Sequence, residues 1–400
     1  MSPDTTAYTT CSLSNFRTYE CPISPKTSWL FLEVIAEDGS IGVGEISHFG
    51  VERGVLQMLP GMIKPLMGLS VSDAINAVSA RQRRLVAEVP RILLSGIEQA
   101  LIDLQAKSLG LSPMELIGGQ KRTEIAIYAN INRGTVDRSP EGWAARALEA
   151  KRDGYVGVKI APFDGVDAAA LQEIEGGKKV DHGFACVHAV RDAVGSEMLI
   201  NVDLHGRLNL FGARQIFREL EAANPFWIEV PIREKSNAYD DIAKIRSFAN
   251  DLGIRVAGAE LVTSLSDVIA MVKADVHDVY LPDIRLCSGV REAVMISKYL
   301  SCSNLEFSLH NPAGPVLDVI SQTVAAVVET TTIIERQYKE HPLQLELLSV
   351  PLFHPSGGGL KVERRAGWGA DLNQTVLAGA VGTNDATIDL FGYPGAGPNS

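Results

Sequence analysis

Apolar and polar positions change rhythm along the chain, and the changes divide it. Residues 28–47, SWLFLEVIAEDGSIGVGEIS, hold two strand-like runs around the turn signal Glu37-Asp38-Gly39 and predict a hairpin. Helical stretches follow, the last of them ILLSGIEQALIDLQAKSLGL. In it Ile92, Ile97, Leu101 and Leu104 recur at helical spacing and Gly110 supplies a stop. Antiparallel strands followed by helices predict a separate α+β layer over residues 1–122. From Ile125 short apolar runs alternate with longer helical stretches: IAIYA (125–129), GVKI (157–160), MLINVD (198–203), FWIEV (226–230), RVAGAE (255–260), DVYLPD (278–283), LEFSLH (305–310) and TTIIE (331–335). These eight runs span 210 residues at a mean interval of 30, the length of one strand–helix unit. Continuous apolar strands at that interval predict an α/β fold of the (β/α)8-type barrel class over residues 123–340. An open doubly wound sheet would carry a glycine-rich phosphate loop, and neither GxGxxG nor GxxxxGK[ST] occurs. Residues 341–400, with three consecutive glycines at 357–359, read as a return across the barrel or onto the N-terminal layer. The Gly- and Pro-rich end, GYPGAGPNS, is expected to fray.

Composition narrows the partners. Apolar residues form 46% of the 400, enough for a sizeable core, and 48 acidic against 37 basic residues give a formal charge of −11. That balance argues against nucleic acid or an anionic membrane, though not against a small anion, because one metal ion reverses a local field. The five cysteines (Cys11, Cys21, Cys186, Cys287, Cys302) are odd in number and form no CxxC pair, which disfavours a disulfide framework or a zinc ribbon. The start lacks a signal-peptide pattern, and no apolar run approaches the ~20 residues that span a bilayer. A cytoplasmic protein is expected.

Barrel enzymes place their chemistry at the C-terminal ends of the strands. Here the second strand carries Lys159, the third Asp203 and His205, the fourth Glu229, the fifth Glu260, the sixth Asp283, the seventh His310 and the eighth Glu335. Any one of these could be a solvated charge or a helix cap. Seven successive strands ending this way predict a site. Asp203, Glu229 and Glu260 would converge across the mouth and repel one another unless a divalent cation joined them. Oxygen-only ligands favour Mg2+. His205, two residues past Asp203, would turn to the same face if the strand continued, as a ligand, a general acid or a donor to a ligand carboxylate; a nitrogen ligand is unusual for Mg2+, which favours the last two. Asp283 and His310, on neighbouring strands, could form a dyad in which the aspartate fixes the imidazole tautomer, or a buried, satisfied pair. Lys159 could transfer a proton, neutralise a substrate carboxylate, or simply be solvated. No GxSxG is present, which disfavours acyl transfer.

Taken in order, the GVGEIS region, SGIEQALIDLQAKSLGLSPMELIGG, VDLH, FWIEVPI, AGAEL, YLPDIRLCSGVREA, SLHN and IIER resemble the enolase superfamily, in its mandelate racemase/muconate lactonising group. The resemblance covers nearly the whole chain. It implies a substrate carboxylate bound to Mg2+, loss of the proton α to it, and an enediolate intermediate. It maps Asp203, Glu229 and Glu260 as metal ligands, His310–Asp283 as the base dyad, and Glu335 as a protonated donor to a carboxylate oxygen. It also implies that the N-terminal layer caps the barrel, with loops near Pro22–Thr27 and His48–Arg53 selecting the substrate. The family's second strand usually ends Lys-x-Lys, and here the segment is Lys159-Ile160-Ala161. Two-base racemisation thereby loses a partner, whereas dehydration survives: one base takes the α-proton and His310, His205 or Lys159 helps the β-hydroxyl leave. VDLHGRL is similar to acid-sugar dehydratases in which a histidine follows the metal aspartate. The expected reaction is therefore dehydration of a sugar acid to a 2-keto-3-deoxy acid. An epimerase, a cycloisomerase or a non-catalytic ligand-binding barrel is the alternative. Arg133 and Arg207 are candidates for reaching distal hydroxyls, and association into a homo-oligomer is expected.

Overall fold

A computed structural model describes residues 11–24, 27–84, 87–331, 333–352 and 354–380. The chain opens with an antiparallel sheet of three strands, β1 (Leu13–Ser24), β2 (Thr27–Ala36) and β3 (Ile41–Glu45), in the order β1-β2-β3. β2 and β3 are the hairpin that the pattern predicts. β1 was not foreseen. Among the described residues it pairs with β2 alone, and its polar, intermittent burial hides the strand period. The helix Glu88–Leu109 lies across this sheet and ends on Gly110 at φ 64°, as its periodicity predicts. Contact is close because both surfaces carry glycine: a Cβ on Gly44 would lie 2.2 Å from the Gly96 carbonyl oxygen. Leu30, Leu32, Val34, Ile92, Leu93 and Leu101 belong to the apolar core of this layer.

The second body is a curled parallel sheet made of β4 (Glu124–Asn130), β5 (Gly157–Ile160), β6 (Leu199–Asp203), β7 (Trp227–Glu229), β8 (Arg255–Gly258), β9 (Val279–Tyr280), β10 (Glu306–Phe307) and β11 (Ile334–Gln337). Neighbours follow chain order from β4 to β10, β11 returns beside β4, and a parallel bridge from Phe307 to Thr331 joins the two ends. Each predicted run holds one strand. Seven strands are followed by helices of 9 to 21 residues, but β11 is followed by only the four-residue helix Leu343–Glu346. The eighth unit of the expected (β/α)8 pattern thus lacks its full helix. Pro342 and Pro351 bracket the segment, and proline interrupts helical hydrogen bonding.

Residues of one parity, Tyr128, Trp227, Ala257, Val279 and Leu281, cluster with Ile333 inside the sheet as a floor. The other parity, including Ile127, Ile228, Val256 and Tyr280, joins the large core shared with the helices. The C-terminal segment returns to both bodies. β12 (Gly359–Lys361) pairs antiparallel with β4, while Trp368 donates its backbone N–H to Asp103 (2.7 Å) and its indole N–H to the Gln99 carbonyl (2.9 Å) on the long N-terminal helix. The GYPGAGPNS end, and Pro25 and Lys26 of the first predicted capping loop, lie outside the described residues. Among the described residues no helix is long and apolar enough to cross a membrane.

Candidate active site

The strand register sets the site. Asp203 on β6 sits directly beside Glu229 on β7. Glu260 follows β8 by two residues, and one carboxylate oxygen from each of the three lies within 4.8 Å of the others. Backbone turns aim these groups: His205 (φ 52°), Val230 (φ 41°) and Ala259 (φ 74°) all adopt left-handed conformations beside the three acids. A β-branched residue such as Val230 rarely accepts that conformation, so the surrounding fold must impose it.

Electrostatics within the trio are uneven. Burial works against the Glu229 charge, but the Lys159 ammonium beside it prevails and brings its carboxyl down to about 2. Glu229 Oε1 accepts from Lys159 Nζ (2.7 Å) and Oε2 from Trp227 Nε1 (3.1 Å). Burial and then the Glu229 charge raise the Asp203 carboxyl, and burial with both neighbouring acids raises Glu260 well above the ordinary carboxylate range. Three converging carboxylates with one cation serving one of them form a site short of positive charge. Their all-oxygen donor set, and a buried Glu260 Oε1 with no hydrogen-bond donor, fit a hard divalent cation.

Opposite lies the second group. Asp283 and His310 continue the β9–β10 pairing by one bridge, and His310 Nδ1 stands 3.0 Å from Asp283 Oδ2. Asp283 is fully buried. Burial opposes its charge, yet Arg285 overcomes that and holds its carboxyl well below the usual range. An ionised Asp283 is an acceptor for an Nδ1–H, the tautomer in which Nε2 carries the lone pair. Nε2 faces the trio, 3.5 Å from Glu260 Oε1.

The remaining predicted residues take more particular places. Lys159 is 1% exposed, so it is not a solvated lysine. Its ammonium bridges Glu229 (2.7 Å) and Glu335 (2.8 Å). Burial disfavours its charge, but the two carboxylates raise it well above the ordinary lysine value, so it holds its proton as a counter-ion. Glu335 is held as an anion. Burial is outweighed by the Lys159 ammonium beside it, and its oxygens accept from Asn130 Nδ2 (2.6 Å) and Asn311 N (2.8 Å). His205 does not continue β6. The strand stops at Asp203, the chain turns, and the imidazole folds back to place Nε2 3.1 Å from Asp203 Oδ2, with the side chain 42% exposed. Arg133 contacts the Pro312 carbonyl and Glu340, while Arg207 lies 3.5 Å from Asp164. Ala161 is buried, and its N–H donates to Asn132 Oδ1 (2.6 Å).

Asn130, Trp227 and Arg285 were not singled out from the sequence. Asn130 ends β4 and obeys the same strand-end rule without carrying an ionisable group. Nothing in the local pattern marks the other two.

Residues 142–376 match the Enolase C-terminal domain-like family and residues 21–118 the N-terminal domain of mandelate racemase/muconate lactonizing enzymes. The chain belongs to this family. Among its relatives, a D-gluconate dehydratase of Thermoproteus tenax is 30% identical over 71% of this chain, a stretch equal to 55% of that protein's length. A D-galactonate dehydratase of Ralstonia pickettii is 26% identical over 91% of this chain and 93% of its own. A solved member of the enolase superfamily from Salmonella Typhimurium superposes with a TM-score of 0.81 at 19% identity, covering 92% of this chain and 98% of that one. The last comparison concerns the fold: a barrel with an antiparallel N-terminal layer.

Proposed function

We propose that the protein is a Mg2+-dependent dehydratase of a sugar acid, with six-carbon aldonates such as D-gluconate and D-galactonate as the substrate class. The observation that carries this reading is the pairing, across one barrel mouth, of a cation-deficient carboxylate trio with an oriented imidazole base. Asp203, Glu229 and Glu260 would hold the ion, whose Lewis acidity eases the build-up of charge on a substrate carboxylate, an effect worth several kcal/mol.

The chain's own groups do the rest. His310 Nε2 takes the proton α to the carboxylate, Asp283 stabilises the imidazolium, and general-base catalysis of this kind contributes about 10²–10⁴ in rate. The electron pair left at the α-carbon forms the Cα–Cβ double bond as the β C–O bond breaks. His310, or the more exposed His205, returns a proton to the departing hydroxyl, so that water leaves and the enol becomes a 2-keto-3-deoxy acid. Lys159 keeps its charge between Glu229 and Glu335. With Ala161 as the next inward position, no lysine on β5 is free to act from the opposite face. That supports elimination over two-base epimerisation.

The test is incubation with Mg2+ and a sugar-acid panel that includes both aldonates, trapping keto acid with semicarbazide. Keto-acid formation is expected. Deuterium from D2O at the α-carbon without keto acid would instead mark an epimerase, and no exchange with any member would leave a binding protein.

A further inference from the structure

A closed ring of contacts ties the end of β3 to both strands of the imidazole–carboxylate pair. The Ser47 carbonyl accepts from Arg285 Nη1 at 2.9 Å. Arg285 is 4% exposed and directs its other donors at Asp283: Nε to Oδ1 at 3.0 Å and Nη2 to Oδ2 at 2.5 Å. In the other direction Ser47 Oγ donates to Glu45 Oε1 (2.6 Å). The two Glu45 oxygens accept from Gly314 N (2.6 Å) and Leu317 N (2.9 Å), at the start of the helix Pro315–Val327 that follows His310. Carboxylate oxygens on free N–H groups at a helix start are favourably placed. Gly314 allows the approach, since a Cβ there would lie 2.9 Å from both Glu45 Oε1 and the Trp29 ring. Two residues beyond Ser47, the Phe49 ring lies 4.2 Å from the Arg133 guanidinium and 5.8 Å from that of Arg285.

We propose that Arg285 is a positioning residue which sets the His310–Asp283 pair by reference to the N-terminal layer, so that the loop beginning at His48 and the base are held as one unit. The inference rests on the reading of His310 as the base. Its physical basis is the planar fork of arginine, which reaches Asp283 and the Ser47 carbonyl together. A lysine supplies the same charge at a single point and can serve one partner at a time. Were Arg285 merely a counter-ion for a buried aspartate, lysine would suffice and Phe49 would be irrelevant. A displaced base matters, because misplacement by about 1 Å costs on the order of 10²-fold in rate. Phe49 carries the same contacts on to Arg133, which donates to the Pro312 carbonyl two residues past His310.

The experiment uses the full chain with Mg2+, D-gluconate and D-galactonate. It compares Arg285→Lys, Phe49→Ala and the double variant by kcat, KM and amide hydrogen exchange over residues 48–51. Arg285→Lys is expected to lower kcat about 10²-fold with little change in KM and to speed exchange in the loop without substrate. Phe49→Ala is expected to lower kcat less, and the double variant to be no worse than Arg285→Lys, because both cut one chain of contacts. Wild-type kcat in Arg285→Lys, unchanged loop exchange, or losses that multiply in the double variant would each overturn the proposal. If Arg285→Lys fails to fold, Phe49→Ala decides: an unaltered kcat rejects the coupling. Full α-proton exchange in His310→Asn would reject the base reading instead, while loop exchange in Arg285→Lys still tests the tether.

Discussion

The two sides of the barrel mouth follow opposite electrostatic plans. On one side Asp203, Glu229 and Glu260 crowd together, and Lys159 beside them is shared between Glu229 and Glu335. On the other, Asp283 receives two guanidinium hydrogen bonds, a backbone N–H from Arg285 (2.8 Å) and the His310 ring. The first side is incomplete without an added positive charge, and the second is complete as it stands. On the proposed reading, the first region would take up an ion, and the imidazole of the second would be held in place independently of it.

That contrast can be broken in three ways, with one control beside them. The largest effect is expected from His310→Asn, which should cut α-proton exchange in D2O by about 10²–10⁴-fold while Mg2+ titration remains normal. Unaltered exchange would dissolve the distinction between the sides. Next, Asp283→Asn should lower folding stability by about 3–5 kcal/mol, because it leaves the Arg285 charge buried without its partner. Urea unfolding measures this, and a neutral result would show that the pair is not self-contained.

Glu98 offers a control away from the mouth. It is a buried acid that accepts from Val290 N (2.8 Å), and burial pushes its carboxyl up to about 7. A carboxyl raised in the folded state contributes stability below its unfolded value, and that contribution fades as pH climbs through about 7. Unfolding between pH 5 and 8 should therefore show the wild type losing up to about 3 kcal/mol relative to Glu98→Gln. Parallel pH curves would refute it. Smallest is the ion itself. Mg2+ at 100 times its Kd should add about 2.7 kcal/mol to the wild type and nothing to Glu260→Gln, whose metal-free form should be the more stable of the two. Equal Mg2+ responses in thermal unfolding would remove Glu260 from the trio.

The barrel was legible because its strands are buried on both faces and appear as short apolar runs at a steady interval. The polar residues that end them stand out against that background. β1 was not legible, since an edge strand with one neighbour and a proline at position 22 carries charges on both faces and loses its alternation. The trio and the dyad could be proposed from strand order alone. The state of Lys159 could not, because solvation and burial between two carboxylates leave the same letter in the sequence. Arg285 was invisible for a different reason: its decisive partner, Ser47, lies 238 positions away in another layer.

The left-handed turn at Ala259 carries a practical consequence. Glycine there would relieve a conformation that alanine tolerates poorly, and a stability screen would rank the change as an improvement. Yet the same freedom would let the adjoining acid wander from its two companions. Thermostabilising this chain by consensus-style repair of awkward backbone would thus select against the geometry that the awkwardness maintains.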